Sequence, residues 1–177
     1  FRYQPGAKSA ETFTNVGNVG ILIEAPGHVS AILAAQGDQF LVLDSTTAKT
    51  LGGLPLKAKP VAGAADSAGT VAYCLLQDGS LHRVRATGDR QFNLVEVARP
   101  FGAADRGFFV LPQSKRVVAV TAGGKITVFD PATGKVHALQ SAAPLSAGPA
   151  VDPEEDAWYY ADSTVLKYAV GRHKSSE

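Results

Sequence analysis

The sequence predicts an all-β chain of about four repeats, each of short antiparallel strands, and three observations carry that prediction. First, apolar runs recur at a nearly constant interval: Val29, Val71, Val117 and Trp158 open them, 42, 46 and 41 residues apart. Second, 18 glycines and 10 prolines punctuate the 177 residues so densely that few windows reach the length a stable helix needs. Third, each run is followed by a polar or glycine turn and a second strand-like run. The clearest copy is Gly124 to Val136, reading GKITVFDPATGKV. Ile126, Val128 and Phe129 supply its β-branched and aromatic residues, and Gly123-Gly124 opens it. Pro131 presets the φ of a turn, Asp130 can bond forward to the backbone, and Gly134 can take the positive φ at the exit. That is a β-hairpin.

Taken in order, the chain opens with a segment over 1–13. Its strongest helical candidate is Gln4 to Thr14 (QPGAKSAETFT), and Glu11 to Val16 (ETFTNV) reads as a lone outer strand. The first unit, 14–58, runs ILIEAPGH, VSAILAA, the turn Gln36-Gly37-Asp38, QFLVLD, the turn STTAK and TLGGLPL. The second, 59–100, runs VAGAADSAGT, VAYCLLQ, the turn Gln77-Asp78-Gly79, SLHRVR, the turn ATGDR and FNLVEV. The third, 101–145, runs FFVLPQSKR, VVAVTAG, the turn Ala122-Gly123-Gly124, KITVFD, PATGK and VHALQS. The fourth, 146–177, runs GPAVDPEEDA, WYYAD, the turn Ala161-Asp162-Ser163, TVLKYA and VGRHK, with no fourth strand after it.

Four short strands in roughly 40–45 residues is the period of a propeller blade. A sandwich or barrel would show similar strand density, but the regular interval favours blades. The expectation is a β-propeller-like fold of about four blades, a partial ring or part of a larger propeller. The strand at Glu11 to Val16 could instead complete the last unit and close a four-bladed ring.

Composition narrows the function classes. Hydrophobic residues make up 45% and charged ones 19%, the balance of a globular domain. The net charge of +1 comes from interspersed charges with no basic stripe, which argues against nucleic acid as the main partner. Apolar stretches run only a few residues, so no membrane span is expected. Cys74, the single cysteine, sits in the apolar run VAYCLL and reads as a buried free thiol. The lack of a possible internal disulfide fits a reducing compartment, whether cytoplasm or organelle, and equally a periplasm. A chain opening on Phe1 with no methionine reads as a processed chain or a piece of a longer one.

Residues with chemical potential are few. His28, His82, His137 and His173 are far apart and lack companions at metal spacing, so neither a metal nor a catalytic role is expected. Asp152, Glu154, Glu155 and Asp156 form the acidic run VDPEEDAW; without alternating oxygens or the glycine of a calcium loop, it reads as a solvated turn. Trp158 and Tyr160 should share one strand face and Tyr159 the other, with core packing as the main reading. Phe108-Phe109 reads the same way. Gly17-Asn18-Val19-Gly20 lacks the length and lysine of a phosphate loop, and no Ser, Cys or Thr has a nucleophile setting. No catalytic, cofactor-binding or metal residue is assigned.

The stretch GKITVFDPATGKVHAL resembles the repeat of PQQ-like and YVTN-like β-propellers. A glycine opens a strand, an aspartate ends it and Thr-Gly turns into the next; Gly124, Asp130, Thr133 and Gly134 fit. Asp44 and Thr47 fit in part, with Ala48 in place of glycine. The second unit keeps Thr87-Gly88 but has Arg85 for the aspartate, and the fourth matches only in strand pattern. The resemblance implies a propeller fold and names no cofactor residue here, since the family's tryptophan docking pattern is absent and Trp158 stands at a strand start. WD-repeat proteins are less similar: Gly27-His28 imitates their opening dipeptide, but no Trp-Asp pair follows.

The leading functional expectation is a non-catalytic scaffold or accessory subunit, presenting loops and strand edges to protein partners in a multi-subunit assembly. The alternative, from the resemblance, is an extracytoplasmic PQQ-like or YVTN-like module that binds a small ligand or belongs to an oxidoreductase. A hydrolase on the same scaffold would need a polar cluster at the axis, which the sequence does not place.

Overall fold

The computed structural model describes residues 20–27, 31–66, 68–99, 101–102, 104, 107–141, 144–145, 150–152, 154 and 157–160, and the backbone of 161 and 165–169. The expected strand at 11–16, the helical candidate at 4–14, and His28, Glu155, Asp156 and His173 lie outside them. The described strands form four antiparallel sheets in chain order. The first holds β1 (Leu22–Glu24), β2 (Ala31–Gln36), β3 (Gln39–Asp44) and β4 (Thr50–Pro55). The second holds β5 (Pro60–Ala65), β6 (Ala72–Leu76), β7 (Leu81–Gly88) and β8 (Gln91–Ala98). The third holds β9 (Gly107–Val110), β10 (Val117–Val120), β11 (Lys125–Phe129) and β12 (Val136–Gln140). The fourth holds β13 (Ala150–Asp152), β14 (Ala157–Ala161) and β15 (Val165–Ala169). Every neighbour in a sheet is its neighbour in sequence, the meander of a propeller blade.

Successive residues of a strand face opposite sides of its sheet, and that period of two builds the core. In β6, Ala72, Cys74 and Leu76 face the first sheet, against Leu33, Phe40 and Val42. Tyr73 and Leu75 face the third, against Val117, Ala119 and Phe129. In β10 the pattern repeats: Val118 and Val120 turn to Trp158 and Tyr160 of the fourth sheet. Strands buried on both faces are therefore near-continuous apolar runs rather than alternating ones. The run AYCLL is buried at every position, as is VVAV. β12, outermost in its sheet, is exposed at every position.

The first strands of adjacent sheets converge, β1 on β5 and β5 on β9. Gly63 makes the first approach possible, because a Cβ there would collide with the side chain of Ile23. The first three sheets thus lie face to face with their first strands inward and their fourth strands outward, as blades do.

One expected turn is shorter than the sequence suggested. ATGDR was read as the turn of the second unit, yet β7 runs on to Gly88 and only Asp89-Arg90 turn the chain. The register shifts between Ala86 and Gly88, so the extra residue is absorbed as a bulge. Phe92, opposite Ala86 and buried against the first sheet, anchors that register.

Candidate functional site

The two ends of the stack differ in chemistry. At the end where the β1–β2 and β3–β4 turns and their equivalents emerge, polar contacts tie neighbouring sheets together. The Gly27 amide donates to the Gly69 carbonyl at 2.7 Å. Arg90 meets Asp44 at 3.2 Å, and Lys115 meets the fully buried side chain of Asp66 at 3.3 Å. Gln113 donates to the backbone carbonyl of Glu154. Burial alone would raise the Asp66 pKa, but the Val71 amide, the Thr70 hydroxyl and amide, and Lys115 together hold it below the ordinary carboxylate value. Asp152 and Glu154 belong to this end: the Glu154 amide donates to Asp152 Oδ1 at 2.9 Å, closing a turn.

The opposite end carries a cleft of about 560 Å³ beside the β6–β7 turn of the second sheet. Leu76 and Phe101 form its buried floor, with Ala104 beside them. Val61 lines one wall and the turn Gln77-Asp78-Gly79 another. The pairing of β5 with β6 slips between Pro60 and Ala62, so Val61 is the residue the bulge leaves over, and it is 43% exposed. A bulge re-aims a side chain, here an aliphatic one beside the cleft. Gly79 has φ of +81°, and a Cβ there would stand 2.7 Å from the Phe101 carbonyl oxygen, so glycine is needed on both counts.

Behind the turn lies a polar chain that sequence reading missed. The Ser80 hydroxyl lies 2.6 Å from Asp78 Oδ1 and 3.1 Å from His82 Nε2. An ionised carboxylate only accepts, so Ser80 donates to Asp78 and takes its own bond from a proton on His82 Nε2. Arg99 completes the chain, reaching Asp78 Oδ2 through Nη1 at 3.2 Å and gripping Glu96 through Nε at 2.7 Å and Nη2 at 3.1 Å. The hydroxyl and amide of Ser80, with Arg99, hold the Asp78 pKa down. Burial lowers that of His82, against the raising influence of Glu96 and Asp78; Lys57 and Arg99 lower it further. The sequence signal was Asp78, Ser80 and His82 at every second residue, a spacing that aligns side chains along one strand face.

This chain is not a nucleophile. Ser80 is fully buried, and its proton points at the carboxylate rather than at the imidazole that would have to remove it. Its work is to set the turn that walls the cleft.

The other candidates fall to packing or solvent. Cys74 is fully buried and its thiol is pushed up to about 12 by burial, which keeps it protonated and unreactive. Trp158 and Tyr160 are buried against the third sheet, Trp158 edge-to-face with Phe109 at 6.0 Å, while Tyr159 is half-buried on the other face. Phe108 stacks edge-to-face on Phe101 at 6.4 Å. His137 is exposed on β12, away from His82. Among the described residues, no three of His, Cys, Asp and Glu are grouped to hold a metal ion, and no helix is long and apolar enough to cross a membrane.

No protein-family description matches the chain, and no curated protein does. Solved structures do. Hydrazine synthase of Kuenenia stuttgartiensis superposes with a TM-score of 0.64 at 17% identity, over 96% of this chain and 50% of that one. The Cps50 (Swd1) beta-propeller domain of Myceliophteria thermophila superposes with a TM-score of 0.58 at 11% identity, over 88% of this chain and 53% of that one. The chain spans about half the length of each. At these identities the likeness is one of fold, and with the four meander sheets it makes this an all-β chain of β-propeller architecture.

Proposed function

We propose that the chain is a non-catalytic propeller module that binds protein partners in a larger assembly. One observation carries the reading: the outermost strand of each four-stranded sheet joins a free edge to an exposed aliphatic side chain. Leu51 on β4, Val95 on β8, and Val136 and Leu139 on β12 are each more than one-third exposed. β4, β8 and β12 end their sheets, and among the described residues no strand pairs with their outer edges. A partner strand added there would satisfy the open amides and carbonyls and cover the aliphatic groups together. We also propose kinship with PQQ-like and YVTN-like propellers, supported by the turn at Asp130, whose Oδ1 accepts from the Ala132 amide at 2.9 Å and the Thr133 amide at 3.3 Å.

The test is native mass and co-purifying proteins, in gentle salt, from the source organism. A large assembly holding this chain at fixed stoichiometry is expected. A lone compact species of 18.4 kDa would overturn the reading. It would favour instead a small-ligand module acting through the cleft beside Phe101.

A further inference from the structure

We propose that the cleft beside the β6–β7 turn receives a basic-apolar peptide segment: an aliphatic side chain between Val61, Leu76 and Phe101, with a neighbouring lysine or arginine on Asp78. The inference rests on the reading of the chain as a protein-binding module and names the chemistry of one partner.

The volume, about 560 Å³, is that of a site for a few side chains, within the roughly 300–1,000 Å³ typical of binding clefts. Its lining is mostly aliphatic and aromatic. Val61 stands on β5, the inner edge strand of its sheet, where the bulge aims it at the cleft and leaves it 43% exposed between two buried neighbours, Pro60 and Ala62. Asp78 is the one charged side chain among the described residues that line the cleft.

That carboxylate is oriented before any ligand arrives. Ser80 fixes Oδ1 from its hydroxyl at 2.6 Å and its amide at 3.0 Å. Among the described residues Oδ2 meets only Arg99, at 3.2 Å, and Arg99 grips Glu96 at closer range, 2.7 Å. Asp78 thus holds the weaker share of a cation that Glu96 already claims. An incoming ammonium or guanidinium can take Oδ2 while Arg99 stays with Glu96, so no carboxylate is left bare. Gly102 presents backbone at the rim with open space where a Cβ would stand, leaving room for an extended peptide.

The experiment uses the whole 15N-labelled chain and two probes, acetyl-Leu-Lys-Val-amide and acetyl-Leu-Glu-Val-amide, followed by NMR shift changes. The lysine peptide should move amides of Gln77, Asp78, Gly79 and Gly102, and the glutamate peptide should bind more weakly. Asp78→Asn should weaken the lysine peptide about two- to fivefold, the range for a partly exposed ion pair. Arg99→Gln should strengthen it by a similar factor, because the competing cation is gone; this variant keeps Asp78 and so remains decisive if Asp78→Asn misfolds. Equal response to both peptides, shifts centred elsewhere, or weaker binding by Arg99→Gln would each overturn the proposal. Should the native assembly persist with Asp78→Asn while neither peptide binds, the cleft proposal fails and the assembly reading stands.

Discussion

His82 shows how a single side chain reports on its surroundings. It faces the first sheet beside Cys74 and opposite Glu96, only 6% exposed, with its Nε2 proton committed to Ser80. Burial disfavours the imidazolium, so its folded pKa lies below the ordinary imidazole value of about 6.5. Between those values the unfolded chain binds more protons than the folded one, and stability therefore rises with pH. The contribution is present above about pH 6.5 and is lost as the pH falls toward the folded pKa. The urea midpoint of the native chain should drop between about pH 7 and pH 5.5, and His82→Gln should flatten that drop. Parallel profiles for the two proteins would mean that His82 is solvated and the Ser80 bond is not formed.

At the scale of the element, the β3–β4 turn and the β11–β12 turn are the same object built from different residues. Asp44 Oδ1 accepts from the Thr46 and Thr47 amides at 2.9 and 2.8 Å, as Asp130 does from Ala132 and Thr133. In both, the turn closes through a backbone bond of 2.8 Å, from Ala48 to Asp44 and from Gly134 to Asp130. The amides of Thr47 and Thr46 hold the half-buried Asp44 carboxyl below its ordinary pKa. Of the three positions that differ, the last decides the backbone cost: Gly134 takes φ of 70° freely, whereas Ala48 is forced to 54°. Ala48→Gly should therefore stabilise the chain by up to about 1 kcal/mol, once the extra freedom of glycine in the unfolded chain is deducted. Thermal unfolding checks it, and a loss of stability would show that the unfolded-state term is the larger. This turn was legible in sequence because aspartate, threonine and glycine act through local backbone bonds. The alternation of faces in β6 was legible only as an apolar run, since a strand buried on both sides leaves no period to read. The Asp78-Ser80-His82 chain went unseen because its meaning depends on burial: exposed, the same three residues would be an ordinary polar strand end. The cleft is less legible still, requiring a bulge at Val61 and the approach of Phe101 from the link between two sheets.

For the molecule as a whole, stability is shared between sheets rather than held within them. The second and third sheets are thin meanders whose two faces lie in different apolar clusters, and the first and fourth share one cluster each with a neighbour, so each cluster is built between two sheets. β6 and β10 are the shared members: one strand serves the first and third sheets, the other the second and fourth. Such an array behaves as a row of units joined by nearest-neighbour interfaces, and damage at one interface weakens both sides of it. Leu75 is the test position, fully buried in β6 and turned to Val117 and Phe129 across the interface between the second and third sheets. Leu75→Ala should cost about 2–5 kcal/mol, the transfer term plus the cavity left behind. Amide exchange separates a shared interface from a self-sufficient sheet. Protection should fall in β10 and β11 as well as in β6 and β7, although the third sheet carries no substitution. β12 is exposed along its length and should exchange early in both proteins. Loss of protection confined to the second sheet would mean that the sheets fold as separate units, and that the apolar contacts between them contribute little to holding the stack together.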